Sequence, residues 1–139
     1  MKNSAPKPFE ELEHVADAAL RVHGVDWSEF LVNAAHGMFW LIADAEDSPS
    51  SPWREISLRA MDDETLLVDW LSELLYLHEI DGVVYTKIEM LEASPTTLEA
   101  IVQGTDRWAS KTVIKAVTFN DLNIEKTAEG YTATVVFDT

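Results

Sequence analysis

Cysteine is absent from the chain. That excludes disulfides, thiolate metal sites and a cysteine nucleophile, and it fits a reducing compartment. Glycine is scarce, with five residues at positions 24, 37, 82, 104 and 130. All are isolated, so no glycine-rich loop is available to cradle a phosphate. No serine sits on a glycine-flanked elbow. His78-Glu79 lacks a second histidine one helical turn on, so the zinc-protease pattern is missing. No apolar run approaches the ~20 residues that span a bilayer. The N-terminal MKNSAPKPFEELEH turns acidic early and lacks a signal peptide's apolar stretch, so a cytoplasmic location is expected. Positive charge is scarce too: 10 Lys and Arg face 25 Asp and Glu, a net −15. Nucleic acids are gripped by Lys and Arg that displace counterions, so an extensive direct hold on RNA or DNA is not expected.

What is present reads as one folded domain. The 139 residues are 47% hydrophobic, which excludes wholesale disorder, and a chain of this length buries enough surface for a true core. The charge is uneven: net −6 over residues 1–50, −8 over 51–100 and only −1 over 101–139. Arg107, Lys111 and Lys115 fall close together in the last segment. A partner meets the least repulsion there, while the acidic remainder keeps the chain dispersed.

Periodicity supplies the elements. Residues 1–8 read as a flexible N-terminus and 9–139 as the domain. DAALRVH (17–23) alternates as a half-buried strand closed by Gly24. Asp26 and Glu29 form a helix-start pair, followed by Trp27, Phe30, Leu31, Ala34, Ala35, Met38, Phe39 and Ile42 at helical spacing. Pro49 and Pro52 make 47–53 a loop. Residues 54–61 alternate again. Asp62 or Asp63 caps a second helix, striped by Leu66, Leu67, Trp70, Leu71, Leu74, Leu75 and Leu77, which Asp81-Gly82 ends. Segments 83–91, 96–103, 111–119, 122–126 and 131–137 are strand-like. The expected fold is α+β: two long amphipathic helices packed on one mostly antiparallel or mixed sheet.

Candidate chemistry gathers at the two ends of the sequence. EHVAD (13–17) places His14 and Asp17 three apart around the first strand. VVFDT (135–139) ends on Asp138 and Thr139. Alternation assigns Asp138 to the face of Thr132, Thr134 and Val136, opposite Phe137. An acid at a chain end is also simply tolerated by exposure. If the last strand runs beside the first, however, Asp17, Asp138 and the Thr139 α-carboxylate converge. Such hard oxygen donors suit Ca²⁺, Mg²⁺ or Mn²⁺ rather than zinc, with carbonyls and water completing the shell. His14 is a poor ligand for a hard ion and reads as a neighbouring group. Lys115 interrupts the apolar IKAVTF (114–119). It is either an outward edge lysine, a partner contact, or a counter-charge to the acids. His36 and His78 read as ordinary helix histidines.

With these residues in place, the chain resembles the archease family from about Phe9 to Thr139. The resemblance rests on HVAD (14–17), WSEFLVNAAHGMFWLIAD (27–44), LLVDWLSELLYL (66–77), IKAVTFNDL (114–122) and the terminal VVFD (135–138). It implies a small α+β protein that assists an RtcB-type RNA ligase in tRNA splicing without catalysing ligation. Its role would be to promote guanylylation of the ligase's active-site histidine and repeated turnover. The resemblance further implies a bound divalent cation, calcium first, held at Asp17 and Asp138. Lys115 matches the lysine of the family's KAVT motif, and Lys115 and His14 are the expected partner contacts. The chain departs from the family pattern at Val15, at Phe119-Asn120 and in the shortened 104–115 stretch. Two other functions stay open: a metal-independent chaperone or adaptor, and a stand-alone metal-dependent hydrolase using the same aspartates.

Overall fold

A computed structural model describes residues 6–13 and 17–139. His14 and residues 1–5 of the expected flexible terminus lie outside the described residues. The element order is β1 (Phe9–Leu12), β2 (Ala18–Gly24), α1 (Trp27–Ile42), β3 (Ala43–Ala45), β4 (Arg54–Arg59), α2 (Asp63–Asp81), β5 (Val84–Ala93), β6 (Thr97–Thr105), β7 (Trp108–Ser110), β8 (Ala116–Thr118), β9 (Glu125–Thr127) and β10 (Gly130–Asp138).

The expectation of two long helices on one sheet is corrected. Strand accounts for 44% of the described residues, so this is mostly a sheet protein. It has a shorter helix of 16 residues and a longer one of 19. The strands form three sheets. The first has the order β1-β2-β10-β8, with β9 also on β10; the second is β3-β7; the third is β4-β6-β5. Every pairing is antiparallel. The reason for the difference lies in α1. It packs on β2 of the first sheet and on β5 of the third, with α2 at its side. A broad apolar stripe is what such a position requires, and a stripe alone does not distinguish one large sheet from two smaller ones.

Local chemistry explains the helix limits. The Asp26 carboxylate accepts from the Glu29 amide at 2.8 Å, and the Glu29 carboxylate accepts from the Val25 amide at 2.8 Å. Two orphan donors at the start of α1 are thereby satisfied. Asp62, not Asp63, caps α2, accepting from the Thr65 amide at 2.8 Å. Gly82 ends α2 in the left-handed region, φ 67°, where a side chain would be strained. Gly37 has a different role. A Cβ there would stand 2.4 Å from the Leu20 side chain, so α1 seats directly on β2 only because this position has none.

The strand at 18–24 is more enclosed than a half-buried edge. Ala18, Ala19, Leu20 and Val22 are all buried, and only Arg21 is exposed. β2 lies between β1 and β10, so it is central. The expected strand at 111–119 shrinks to residues 116–118. The amides of Lys111 and Thr112 instead donate to the Ile42 carbonyl at 2.8 and 3.3 Å. Residues 111–115 are thus a strap across the end of α1.

Lys111 strengthens that strap. Its ammonium donates to the Trp40 carbonyl at 2.7 Å and sits 3.9 Å from the centre of the Trp40 ring. The last turn of α1 has no basic residue of its own, so this lysine supplies the positive charge that a helix C-terminus favours. Lys111→Met is expected to lower stability by about 1 kcal/mol, the scale of an exposed cation–π contact combined with a dipole contact. A lower urea midpoint at unchanged slope would register it. An unchanged midpoint would show the contact to be idle.

The helix histidines are structural. The His78 Nδ1 lies 2.9 Å from the Val83 carbonyl and so carries the proton there, while the ring packs against Trp108 and Phe39. Burial lowers the pKa of His36 from its ordinary 6.5. A base depressed in the folded state leaves stability untouched above pH 6.5. Below it the unfolded chain takes up a proton that the folded chain refuses, so stability falls until the folded pKa is reached. His36→Gln is therefore expected to lose less stability than the unsubstituted chain between pH 7 and about pH 5. Urea titrations of the two proteins across that window compare them directly, and parallel curves would refute the assignment.

Candidate functional site

The site follows from one strand pairing. β10 runs antiparallel beside β2, with Phe137 opposite Ala18, Val136 opposite Ala19 and Thr134 opposite Arg21. Continuing that register by one step sets Asp138 opposite Asp17. Residues more than a hundred positions apart therefore meet. Cross-strand partners have Cβ atoms about 5 Å apart on one face, close enough for two carboxylates to share a ligand. The Thr139 α-carboxylate follows one residue on. Asp138 and Thr139 are both exposed.

β8 closes the other side of β10. Ala116 is opposite Asp138, and the Lys115 amide donates to the Asp138 carbonyl at 2.7 Å. That bond fixes the backbone that carries the Asp138 side chain. Lys115 itself is exposed. A row is thus assembled across three strands, with Asp17, Asp138 and then the start of β8. Alternation along β10 holds as expected: Ala133, Val135 and Phe137 are buried in the core, and Asp138 takes the opposite face. Val136 shares that opposite face and is nevertheless 2% exposed.

The oxygens of Asp17 and Asp138 are hard donors, which fit a hard divalent cation and not a soft one. Like charges opposite each other destabilise a ladder, and a cation between them reverses the sign. Among the described residues no group of three His, Cys, Asp or Glu side chains is arranged to hold a metal. Two side-chain carboxylates are the whole side-chain contribution visible there, so water and main-chain oxygens must fill the remaining positions. The expected neighbour His14 lies outside the described residues.

The basic trio of the last segment divides. Arg107 faces Glu46 at 3.8 Å with both side chains more than half exposed, a contact of little energetic weight. Lys111 is committed to Trp40. Lys115 alone stands by the acidic tip.

Two features had no signal in the linear pattern. One is a groove of about 450 Å³ on the same sheet face, where Arg21 and Thr134 meet Asp121, Asn123 and Glu125. It lies four residues along the strands from the aspartate pair, about 13 Å at 3.3 Å per residue. Alternation alone assigns Arg21 to that face, but its rim comes from the irregular 119–125 turn. The other is the latch made by Lys111, whose partner is remote in sequence.

The comparisons with known proteins give the family. Residues 9–139 match the sequence model of the Archease protein family (MTH1598/TM1083). The chain belongs to the archease family. The archease of Methanosarcina mazei is 42% identical over 97% of this chain and 98% of its own length. That of Saccharolobus islandicus is 38% identical over 95% and 99%. Among solved structures, the solution structure of Methanobacterium thermoautotrophicum protein 1598 superposes with a TM-score of 0.78 at 27% identity, covering 95% of this chain and 99% of that one. An archease crystal structure from Thermotoga maritima, described as a possible chaperone, gives a TM-score of 0.68 at 22% identity over 99% and 100%, a likeness of fold. The archease fold thus accounts for the whole described chain. Among the described residues no helix is long and apolar enough to cross a membrane.

Proposed function

We propose that this chain is a non-catalytic accessory protein of an RtcB-type RNA ligase in tRNA splicing or RNA repair. It promotes guanylylation of the ligase and repeated turnover from its acidic tip. The observation that carries this reading is the register of β10 on β2, which, continued one step past Phe137 and Ala18, sets the exposed Asp138 against the half-buried Asp17. Asp17, Asp138 and the Thr139 carboxylate would hold a divalent cation, with Ca²⁺ the first choice and Mg²⁺ or Mn²⁺ the alternatives. Such an ion supplies positive charge where a histidine nucleophile and nucleotide phosphates must be gathered, which is largely a positioning problem.

The chain's own part is to hold the oxygens in place. β2 and β8 brace β10 on both sides, and the hydrogen bond from the Lys115 amide to the Asp138 carbonyl fixes the backbone that carries the Asp138 side chain. The Lys115 ammonium is left to meet the partner. The deciding experiment is a ligation time course with the ligase limiting. Addition of this protein should convert a single burst of product into sustained turnover. Identical courses with and without it would contradict the proposal.

A second reading has support of its own. The Thermotoga maritima protein of the same fold is described as a possible chaperone, and several large apolar side chains are exposed here. A metal-independent chaperone or adaptor would keep its effect on the partner after chelation. The ligase-activator reading requires that effect to disappear.

A further inference from the structure

The exposed stripe of α2 changes character along its length. Exposed Asp69 and half-buried Glu73 lead it, and Tyr76 and Ile80 follow, 55% and 53% exposed. Spacings of four, three and four residues place all of them on one helix face. An exposed helix face is normally polar, so an apolar half needs a cause. Beside it lies a dimple of about 110 Å³, between α2 and the end of β7 with the strap 111–115. Its apolar wall is formed by Ile42, Leu75, Trp108 and Ile114, and Val113 stands at the rim, 70% exposed. Glu79, which lines it, neighbours Tyr76 three residues back on the helix. Dimples of this kind accept single anchoring side chains in protein interfaces.

We infer that this face of α2, with its dimple, is the docking surface for the ligase, engaged by a basic surface of the ligase that presents one aliphatic side chain. The inference rests on the functional reading above and adds where the partner sits. Charge selects the occupant. Asp69, Glu73 and Glu79 lie along this stretch of α2, and the helix carries no Lys or Arg. An enzyme that handles RNA lines its RNA path with Lys and Arg, so the two surfaces attract and steer encounter. Continuity with the tip gives the docking a purpose. Ile114 lines the dimple, and the next residue, Lys115, is bonded to the Asp138 backbone. A ligase seated on α2 is therefore held beside the carboxylates.

The test is a binding titration of this protein with an RtcB-type ligase at two salt concentrations. The doubly substituted Tyr76→Ala/Ile80→Ala chain should bind at least about tenfold more weakly, as expected for loss of anchor contacts. Its circular dichroism and its divalent-cation titration should be unchanged. Asp69→Asn/Glu73→Gln should slow association and flatten its salt dependence while leaving dissociation nearly constant. Val113→Ser, on the strap, gives an independent reading should the helix variant fold poorly, and it should also weaken binding. Wild-type affinity in the Tyr76/Ile80 and Val113 variants overturns the docking surface and leaves the functional reading standing. No binding of the unsubstituted chain to the ligase overturns both.

Discussion

Asp17→Ala and Asp138→Ala should each reduce multiple-turnover ligation to the level of the ligase alone. Each removes one of two side-chain carboxylates from a donor set that has no third among the described residues. Asp138→Ala should not unfold the chain. Asp138 is exposed at the end of β10, and exposed substitutions of this kind usually change stability by no more than about 0.5 kcal/mol. The pairing of lost stimulation with an unchanged thermal midpoint is therefore the signature. Asp138→Asn keeps the shape and should behave like alanine, because the charge is what matters. Full stimulation by both alanine variants would contradict the role given to the tip.

Trp70→Ala should have the largest effect on stability. The side chain is fully buried in α2, and its indole N–H donates to the Leu31 carbonyl of α1 at 2.9 Å. It ties together the two helices that hold the first and third sheets on one core. Truncating a buried tryptophan costs about 3–5 kcal/mol through lost transfer energy and a residual cavity. A domain of this size holds about 5–15 kcal/mol in all, so much of the population should unfold at moderate temperature. Trp70→Phe refills part of the volume and should cost less, with the lost indole bond as the remainder. Urea titration of the three proteins gives the order, and a Trp70→Ala midpoint near the unsubstituted one would refute the assignment.

The parts of this fold that were legible from sequence are those governed by neighbours in the chain. Asp26 and Gly82 mark helix ends because capping chemistry acts over three or four residues. The alternation of 131–137 assigned Asp138 its face for the same reason. The parts that were hidden depend on remote partners. β1 (FEEL) sets two glutamates between Phe9 and Leu12 and has no β-branched residue, and it exists because β2 pairs with it. β3 and β7 have three residues each, too few for a period, and they are held by one another. Residues 111–115 have strand-like composition but spend their amides on the Ile42 carbonyl. The division into three sheets was hidden because α1 shows the same apolar stripe to one sheet as to two.

The candidate site divides in the same way. Asp17, Asp138 and Thr139 could be proposed from position and chemistry alone, yet their meeting depends on a pairing across more than a hundred residues. The acidic surface also resolves into parts with different duties. Asp26 and Asp62 cap helices. Asp81 holds Arg54 at 2.6 Å, a pair roughly two-fifths exposed. Glu64 accepts from the Ile124 amide at 3.3 Å and anchors the turn before β9. Much of the negative charge is therefore structural, and the tip is a small part of it.

The most direct measurement is a titration of the isotopically labelled protein with substoichiometric Mn²⁺, followed by amide resonance broadening. Paramagnetic broadening marks whatever lies close to the ion, whatever the protein's partner. If the two ends of the chain form the cation site, the amides of Ala18, Ala116, Asp138 and Thr139 should vanish first, and excess Ca²⁺ should restore them. Broadening that starts along α2, or spreads evenly over the acidic surface, would contradict the claim that β2 and β10 are brought together to hold an ion.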